Sequence, residues 1–302
     1  MLAAVLHDFD NLVLEDVPTP RAENFGDVVV RIKSCGLCAT DYKAIKGIRR
    51  NVTFPSIQGH EPSGIVHEVG PGVKQFKVGD EVIVQPLGHC GFCKWCRLGQ
   101  THYCDNAFVL GGDGPDDVRN GAFAEYMLTK ESTLYHKPAS ISFDAAAVTE
   151  PLAGAWKGVI AHSEMKVGDD VVVIGVGSIG LLCMMVAKAA GAARLIAIDT
   201  SDYALRNALE LGATHAVNPS KEDARQRVYD IIPDGPDLVV EAAGPIEALG
   251  GPDAAAADGL KAGGCVVTAS GRSFADFIVS PLDKLIPIPC PTSSETGSAL
   301  IA

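Results

Sequence analysis

The sequence predicts a two-domain α/β protein in which a β-rich domain is followed by a doubly wound parallel sheet. The chain has 302 residues, which is long for a single domain. Short apolar segments separated by glycine and proline turns fill residues 2 to about 150, and apolar segments that alternate with helical patterns follow. Hydrophobic residues make up 47% of the chain and aromatic residues only 6%, so aliphatic side chains fill most of the core, as in buried parallel strands. We place the two domains at residues 1–157 and 158–302.

The first domain is predicted from short strands and turns, because no long segment has helical periodicity. Val28, Val30 and Ile32 alternate with other residues, which indicates a half-buried strand. Residues 65–69 and Glu81–Val84 are two more short strands, and glycines and a proline between them are typical of turns. A helix predicted over residues 151–167 leads into the second domain.

The second domain is predicted from strands and helices that alternate along the chain. Strands separated by helices of 10 to 15 residues are typical of βαβ units and a parallel sheet. The predicted helices are residues 178–190 and Asp202–Leu211, which end before Gly191 and Gly212. The predicted strands are residues 171–174, residues 195–198, His215–Val217, Leu238–Glu241 and Cys265–Ala269. The proline-rich residues 286–291 are poor strand material, so we predict no sixth strand there.

Charge and cysteine content narrow the class of protein. The net charge is -12 and the pI is about 5.1, which disfavours a nucleic-acid partner because phosphate contacts need basic patches. The first residues do not resemble a signal peptide, and glycines interrupt the uncharged run at 171–187, so neither secretion nor a membrane span is expected. Nine cysteines, four of them clustered, indicate bound metal in a reducing cytoplasm.

The cysteine cluster has the spacing of a structural zinc site. Two, two and seven residues separate Cys90, Cys93, Cys96 and Cys104. Thiolates at such spacing can converge on one tetrahedral ion. Because four protein ligands leave no position for water or substrate, we expect this site to brace a loop rather than to do chemistry.

A glycine-rich segment predicts a dinucleotide site. The segment Gly175-Val176-Gly177-Ser178-Ile179-Gly180 matches G-x-G-x-x-G, follows a predicted strand and begins a predicted helix. Asp199 follows the next strand, where a carboxylate can accept both ribose hydroxyls and would repel a 2′-phosphate. This pattern favours NAD over NADP. The alternative is a glycine-rich turn without a ligand.

A second, dispersed set of residues has the chemistry of a catalytic zinc site. Cys38, His60, Glu61 and Glu150 could supply a thiolate, an imidazole and one or two carboxylates. Three protein ligands and an open position are what a catalytic zinc needs. Taken singly, each has a plainer interpretation, since a lone cysteine is usually a small buried side chain and a lone histidine is usually structural.

Five motifs in order make the chain resemble the zinc-dependent medium-chain alcohol dehydrogenase family. They are Cys38-Ala39-Thr40-Asp41, Gly59-His60-Glu61, the four-cysteine loop, Thr149-Glu150-Pro151-Leu152 and Gly175 to Gly180. Glu150 followed by Pro151 is more similar to the polyol (sorbitol) and threonine dehydrogenase branch than to the branch with cysteine at that position. The resemblance implies a GroES-like catalytic domain that holds one catalytic and one structural zinc, followed by a Rossmann NAD-binding domain.

The resemblance also implies roles for individual residues. Cys38 and His60 would bind the catalytic zinc, Glu61 can be a direct ligand in this branch, and Glu150 either coordinates the ion or holds its water. Thr40 would contact the substrate alcohol and take its proton, and Asp41 would support the site from behind. The implied reaction is hydride transfer from a secondary alcohol, such as a polyol, a diol or a hydroxy amino acid, to NAD in a homo-oligomeric enzyme.

Two departures from the family leave an alternative open. Many relatives have a histidine where this chain has Lys43, so water or Lys43 would pass the proton to solvent. In relatives the chain returns to the catalytic domain after the nucleotide domain, whereas this sequence stops at Ala302. The alternative is therefore a catalytically silent zinc- and dinucleotide-binding protein, and a zinc-ribbon nucleic-acid binder is a third interpretation that the negative charge disfavours.

Overall fold

In a computed structural model the chain divides into two compact units, Met1–Pro151 and Leu152–Ala302. The structure describes residues 1–111 and 119–243, and the backbone of the strands Cys265–Ala269 and Phe277–Pro281. The proline-rich residues 286–291 lie outside the described residues.

The first unit is built from short strands with a few short helices. Its strands are β1 (Leu2–Asp8), β2 (Asn11–Asp16), β3 (Asp27–Gly36), β4 (Ser56–Ile57), β5 (Glu61–Val69), β6 (Glu81–Val84), β7 (Leu87–Gly88), β8 (Phe108–Val109), β9 (Tyr126–Lys130) and β10 (Leu134–His136). Its helices are α1 (Ala39–Ile45), α2 (Lys94–Arg97) and α3 (Phe143–Ala147), with 3₁₀ turns at Thr101–Tyr103 and Glu131–Thr133. Helix α4 (Thr149–Trp156) begins in the last residues of the first unit.

Two antiparallel sheets carry this unit. The strand orders are β2-β1-β4 and β10-β6-β5-β3-β9, and β7 and β8 form a separate pair. Val28 and Val30 of β3 contribute to the main apolar core of the unit. The prediction of a half-buried strand was wrong at Val29, which is fully buried like Val28 and Val30, so both faces of β3 are covered here.

The second unit is a six-stranded sheet with helices between its strands. Its strands are β11 (Asp170–Ile174), β12 (Arg194–Ile198), β13 (His215–Val217), β14 (Leu238–Glu241), β15 (Cys265–Ala269) and β16 (Phe277–Pro281), in the order β13-β12-β11-β14-β15-β16. Its helices are α5 (Ser178–Ala189), α6 (Asp202–Leu211) and α7 (Ala224–Ile231). Helix α4 continues into a π-helical turn at Lys157–His162, so the predicted helix over 151–167 starts and ends earlier than expected.

The parallel strands are covered on both faces, as their apolar sequence predicts. Val171 and Val173 of β11 belong to one core cluster, and Val172 between them belongs to another. Alternate side chains of a strand point to opposite faces, so all three valines are buried. Strand β16 was not predicted, and it pairs antiparallel to β15 before the proline-rich segment begins. Every other pair of neighbouring strands in the sheet is parallel.

Candidate functional site

The four clustered cysteines come together as their spacing predicts. Their ligand atoms all lie within 4.8 Å of one another. The sulfur atoms of Cys93 and Cys96 are 3.5 Å apart, as are those of Cys104 and Cys90, and two further separations are 3.9 Å. A tetrahedron with metal–sulfur bonds of about 2.3 Å has edges of about 3.8 Å. The four sulfurs therefore fit one tetrahedral zinc ion.

The backbone around this cluster favours the thiolate form of its cysteines. The Cys93 N–H donates to the Cys90 sulfur at 3.4 Å, and the Cys90 N–H donates to the Cys104 sulfur at 3.3 Å. Desolvation raises the pKa of Cys90, but the backbone N–H groups of Phe92 and Cys93 outweigh it and lower that pKa to about 6. Thiolates are the form in which cysteine binds metal.

A second cluster forms where α1 and β5 begin. Ligand atoms of Cys38, His60 and Glu61 lie within 4.8 Å of one another, and Cys38 and Glu61 are buried. Cys38 immediately precedes α1, and Glu61 is the first residue of β5. The structure thus brings together three of the four residues predicted for the catalytic metal.

Asp41 holds this cluster in place. Its carboxylate is 1% exposed, and it accepts hydrogen bonds from the backbone N–H of Cys38 at 2.9 Å and of Gly59 at 3.1 Å. It also faces Nδ1 of His60 at 3.3 Å. An imidazole that donates from Nδ1 to a carboxylate has its Nε2 lone pair available for a metal. Thr40 Oγ1 lies 3.3 Å from this Nε2, at the edge of the cluster.

Glu150 lies near the cluster on the first turn of α4, although it is outside the three-residue group. Its Oε2 is buried and has no hydrogen-bond partner among the residues that the structure describes. Burial raises the pKa of Glu150 to about 7, while the charge of His60 opposes the rise and those of Glu61 and Asp41 add to it. A buried carboxylate oxygen without a partner is what a metal ion or a metal-bound water would satisfy.

Two titratable groups of the cluster, His60 and Glu61, have raised pKa values. Burial lowers the pKa of His60, but the interactions with Asp41 and Cys38 outweigh this effect and raise the pKa to about 10. Burial also raises the pKa of Glu61. A bound dication reverses these preferences, because it binds the neutral imidazole and the carboxylate. The donor set therefore fits zinc, with its mixture of sulfur, nitrogen and oxygen ligands.

A segment that sequence reasoning assigned no structural role, residues 121–123, pairs with the backbone that immediately precedes His60. The N–H groups of Gly121 and Phe123 donate to the carbonyls of Ile57 and Gln58, and that of Ala122 to Gly59. A Cβ on Gly121 would lie 2.3 Å from the Gly59 carbonyl oxygen, so only glycine allows this approach. The glycine at position 121 was the only sequence signal for this pairing.

The glycine-rich loop of the second unit has the geometry of a dinucleotide site. Gly175 has φ +79°, and a Cβ there would lie 2.5 Å from the Cα of Ala243. A Cβ on Gly180 would lie 1.9 Å from the Gly175 carbonyl oxygen. Gly177, by contrast, has nothing within 4 Å of its ideal Cβ. Two glycines thus allow the tight turn and the helix packing, and the middle one leaves room for a ligand.

Helix α5 and Asp199 complete this loop. Ser178 and Ile179 begin α5, whose N-terminus is suited to a pyrophosphate. The Asp199 carboxylate accepts hydrogen bonds from the backbone N–H of Val176 at 2.9 Å and of Ser201 at 2.8 Å. These bonds hold the acid at the end of β12, beside the loop.

Helices of the described residues include none that is long and apolar enough to cross a membrane.

Two family models match the chain, one in each unit. Residues 24–139 match the alcohol dehydrogenase GroES-like domain, and residues 178–284 match the zinc-binding dehydrogenase model. The first match contains both cysteine-bearing clusters except Glu150. The second begins at Ser178, inside the glycine-rich loop.

Individual proteins agree with these models. The L-threonine 3-dehydrogenase of Bacillus subtilis strain 168 is 37% identical over 251 residues, which are 82% of this chain and 70% of that protein. A structure from Sinorhizobium meliloti 1021 bound to NADP has a TM-score of 0.80 and 32% identity and covers 94% of this chain and 81% of its own. The 2R,3R-butanediol dehydrogenase from Bacillus subtilis has a TM-score of 0.78 and 32% identity and covers 89% and 77%. The chain therefore belongs to the zinc-dependent medium-chain dehydrogenase family, in the branch similar to threonine and polyol dehydrogenases.

Proposed function

We propose that this zinc-dependent alcohol oxidoreductase transfers hydride from a secondary alcohol to NAD. The observation that carries the proposal is the buried cluster of Cys38, His60 and Glu61, with Asp41 fixing the orientation of the histidine. Three protein ligands would leave one coordination position for a substrate oxygen, unlike the closed four-cysteine set.

Two zinc ions per chain are proposed. Cys90, Cys93, Cys96 and Cys104 would hold the structural ion. Cys38, His60 and Glu61 would hold the catalytic ion, and Glu150 would bind either the ion or its water through the buried Oε2.

The chain's own groups would then divide the work of the reaction. Zinc, when bound, lowers the pKa of the alcohol and favours its alkoxide form. Thr40 Oγ1, which lies beside His60 Nε2, would orient the substrate hydroxyl and take its proton. Asp41 would keep His60 in the tautomer that binds metal. Water or Lys43 would receive the proton from Thr40, as the sequence predicts.

Asp199 supports NAD rather than NADP as the hydride acceptor. Its carboxylate is held by two backbone N–H groups beside the glycine-rich loop and would accept the ribose hydroxyls. A 2′-phosphate placed there would meet a fixed negative charge. The similar Sinorhizobium structure is bound to NADP, so family membership does not decide the cofactor. The preference for NAD rests on the negative charge of Asp199.

The substrate class follows from the relatives. Similar proteins are named for L-threonine and for 2R,3R-butanediol, each of which has a secondary hydroxyl beside an amino or hydroxyl group. We therefore infer a secondary alcohol with such a neighbouring group, which includes polyols and hydroxy amino acids. These relatives are dehydrogenases, so a catalytically silent binding protein is not favoured. A cytoplasmic location and a homo-oligomeric state stay predictions.

An assay with a panel of alcohols tests the proposal. Threonine, 2,3-butanediol, sorbitol and a primary alcohol are mixed with the zinc-loaded protein and either NAD or NADP, and nicotinamide reduction is followed. We expect turnover of a secondary alcohol with NAD, and its loss in Cys38→Ser. Cys183→Ser, which changes a buried cysteine outside both clusters, is the matched control. Absence of turnover in a protein that holds two zinc ions would contradict the proposal.

A further inference from the structure

The side chain of Glu61 lies over a residue that has no side chain. Gly36 is the last residue of β3 and pairs with Glu61 at the start of β5. A Cβ on Gly36 would lie 1.9 Å from Glu61 Oε2, 3.0 Å from its Cδ and 3.1 Å from its Cβ. Such an oxygen contact is far inside van der Waals distance, so no other residue fits position 36 while Glu61 keeps this conformation.

The backbone of Gly36 does not itself require glycine. Its φ lies outside the left-handed region that thirteen other glycines of the described residues adopt. Nor does neighbouring backbone press on it, since the three nearest atoms to its ideal Cβ all belong to the Glu61 side chain. Glycine in a strand is unfavourable and usually marks the close approach of another group. Here that group is a carboxylate.

Burial of a carboxylate against a strand glycine is unfavourable when compared with burial of an apolar side chain at the same position. Glu61 is 7% exposed, and burial of a carboxyl group without compensation is unfavourable. The position would suit an apolar or aromatic side chain, which commonly covers a glycine on the neighbouring strand. The Glu61 carboxylate instead reaches the ligand cluster, where one of its oxygens lies within 4.8 Å of the sulfur of Cys38, two residues beyond Gly36.

We propose that Gly36 is a positioning residue for the catalytic metal site, because its missing side chain leaves the space through which Glu61 reaches the ligand cluster. The inference rests on the proposed function, which makes Cys38, His60 and Glu61 zinc ligands. Gly36→Ala should act on the metal through Glu61 and through no other residue.

Zinc titration of four variants, with the wild type as reference, tests this role. Competition with a chromophoric chelator gives the affinity of each zinc equivalent, and cobalt substitution reports ligand geometry through its visible spectrum. Gly36→Ala should weaken the catalytic equivalent about 10- to 100-fold, as loss of a supporting contact typically does. Glu61→Ala should weaken it similarly, and the double variant should bind no more weakly than Glu61→Ala alone. The structural equivalent should keep its affinity in all three.

Gly64→Ala is the matched control in the neighbouring register of the same strand pair. A Cβ there would lie 2.3 Å from the Arg31 carbonyl oxygen and 2.7 Å from Val30 Cγ1, so it strains the sheet without touching a ligand. We expect it to lower the unfolding temperature and to leave the catalytic zinc affinity of the folded protein unchanged. This separates a metal effect from loss of stability.

Each outcome bears on a different claim. A wild type that binds one zinc overturns the proposed function and this inference together. A wild type that binds two, with Gly36→Ala unchanged in affinity and cobalt spectrum, overturns the inference alone. Additive losses in the double variant would also overturn it. If Gly36→Ala fails to fold and adding Glu61→Ala does not restore folding, Glu61 is not the group that position 36 accommodates, and the inference is wrong.

Discussion

The four-cysteine cluster should make the stability of the protein depend on free zinc. The perturbation is Cys96→Ser, introduced into a Cys38→Ser background so that the catalytic set does not contribute. The sulfur separations of 3.5 to 3.9 Å match a preformed tetrahedron, so zinc should bind the folded chain far better than the unfolded one. Free zinc at 1,000 times its dissociation constant then adds about 4 kcal/mol.

That free energy converts to a measurable shift. For a unit of about 150 residues, 1 kcal/mol moves the unfolding temperature by about 2–4 °C, so saturating zinc should raise it by about 8–16 °C. Thermal unfolding in chelator-buffered zinc measures the dependence. We expect the full shift in Cys38→Ser and little or none when Cys96→Ser is added. An unchanged shift in the double variant would refute the assignment of these four thiolates to one ion.

Three further predictions address the rest of the chain. Asp199→Ser should weaken NAD binding about 10- to 100-fold, through loss of a charged hydrogen-bond acceptor, and should narrow the preference over NADP, as fluorescence titration with both cofactors would show. Gly175→Ala should destabilise the second unit by about 1–3 kcal/mol and abolish NAD binding, because its Cβ would meet Ala243, whereas Gly168→Ala, with φ +95° but open space around its Cβ, should leave binding intact. Asp27→Asn should cost about 1–3 kcal/mol at neutral pH in urea unfolding, because Asp27 accepts a hydrogen bond from Lys130 at 2.6 Å and is 2% exposed. Burial raises the pKa of Asp27, but Lys130 and Asn24 lower it below its ordinary value of 3.8. The stabilisation is therefore present above pH 3.8, and the difference in unfolding free energy between wild type and Asp27→Asn should shrink as the pH falls below that value. A difference that grows in acid would contradict the assignment.

The alternating units of the second domain were predictable because their signals are local. Helix Asp202–Leu211 and strands His215–Val217 and Leu238–Glu241 have the predicted bounds. Strand β16 was missed because the sequence argument rested on the prolines of residues 286–291, whereas β16 ends before them. Its own proline is the last residue of a strand at the edge of the sheet, where a missing donor is tolerated. Helix α7 was missed because its apolar pattern is short, although the side chain of Asp223 caps it.

The two metal clusters differ in how far the sequence could predict them. The cysteine spacing alone predicts the four-thiolate set, because its ligands lie within one short loop. The residues of the catalytic set lie at the start of α1, β5 and α4, far apart in the sequence. No local spacing predicts that they meet, so their grouping depended on their ligand chemistry and on the family resemblance. The role of Gly36 depends on its cross-strand pairing with Glu61, and that of Gly121 on its contact with Gly59. Such pairings are not visible in the local sequence.

Transfer of deuterium from substrate to cofactor tests the central claim most directly. A secondary alcohol that the protein oxidises is labelled with deuterium at the carbinol carbon, and the reduced cofactor is analysed by mass spectrometry and proton NMR. Direct hydride transfer predicts one deuterium on the nicotinamide ring of NADH, with none lost to solvent, and no labelled product in Cys38→Ser. Reduced cofactor without deuterium, or labelled cofactor formed equally well by Cys38→Ser, would contradict zinc-dependent hydride transfer at this site.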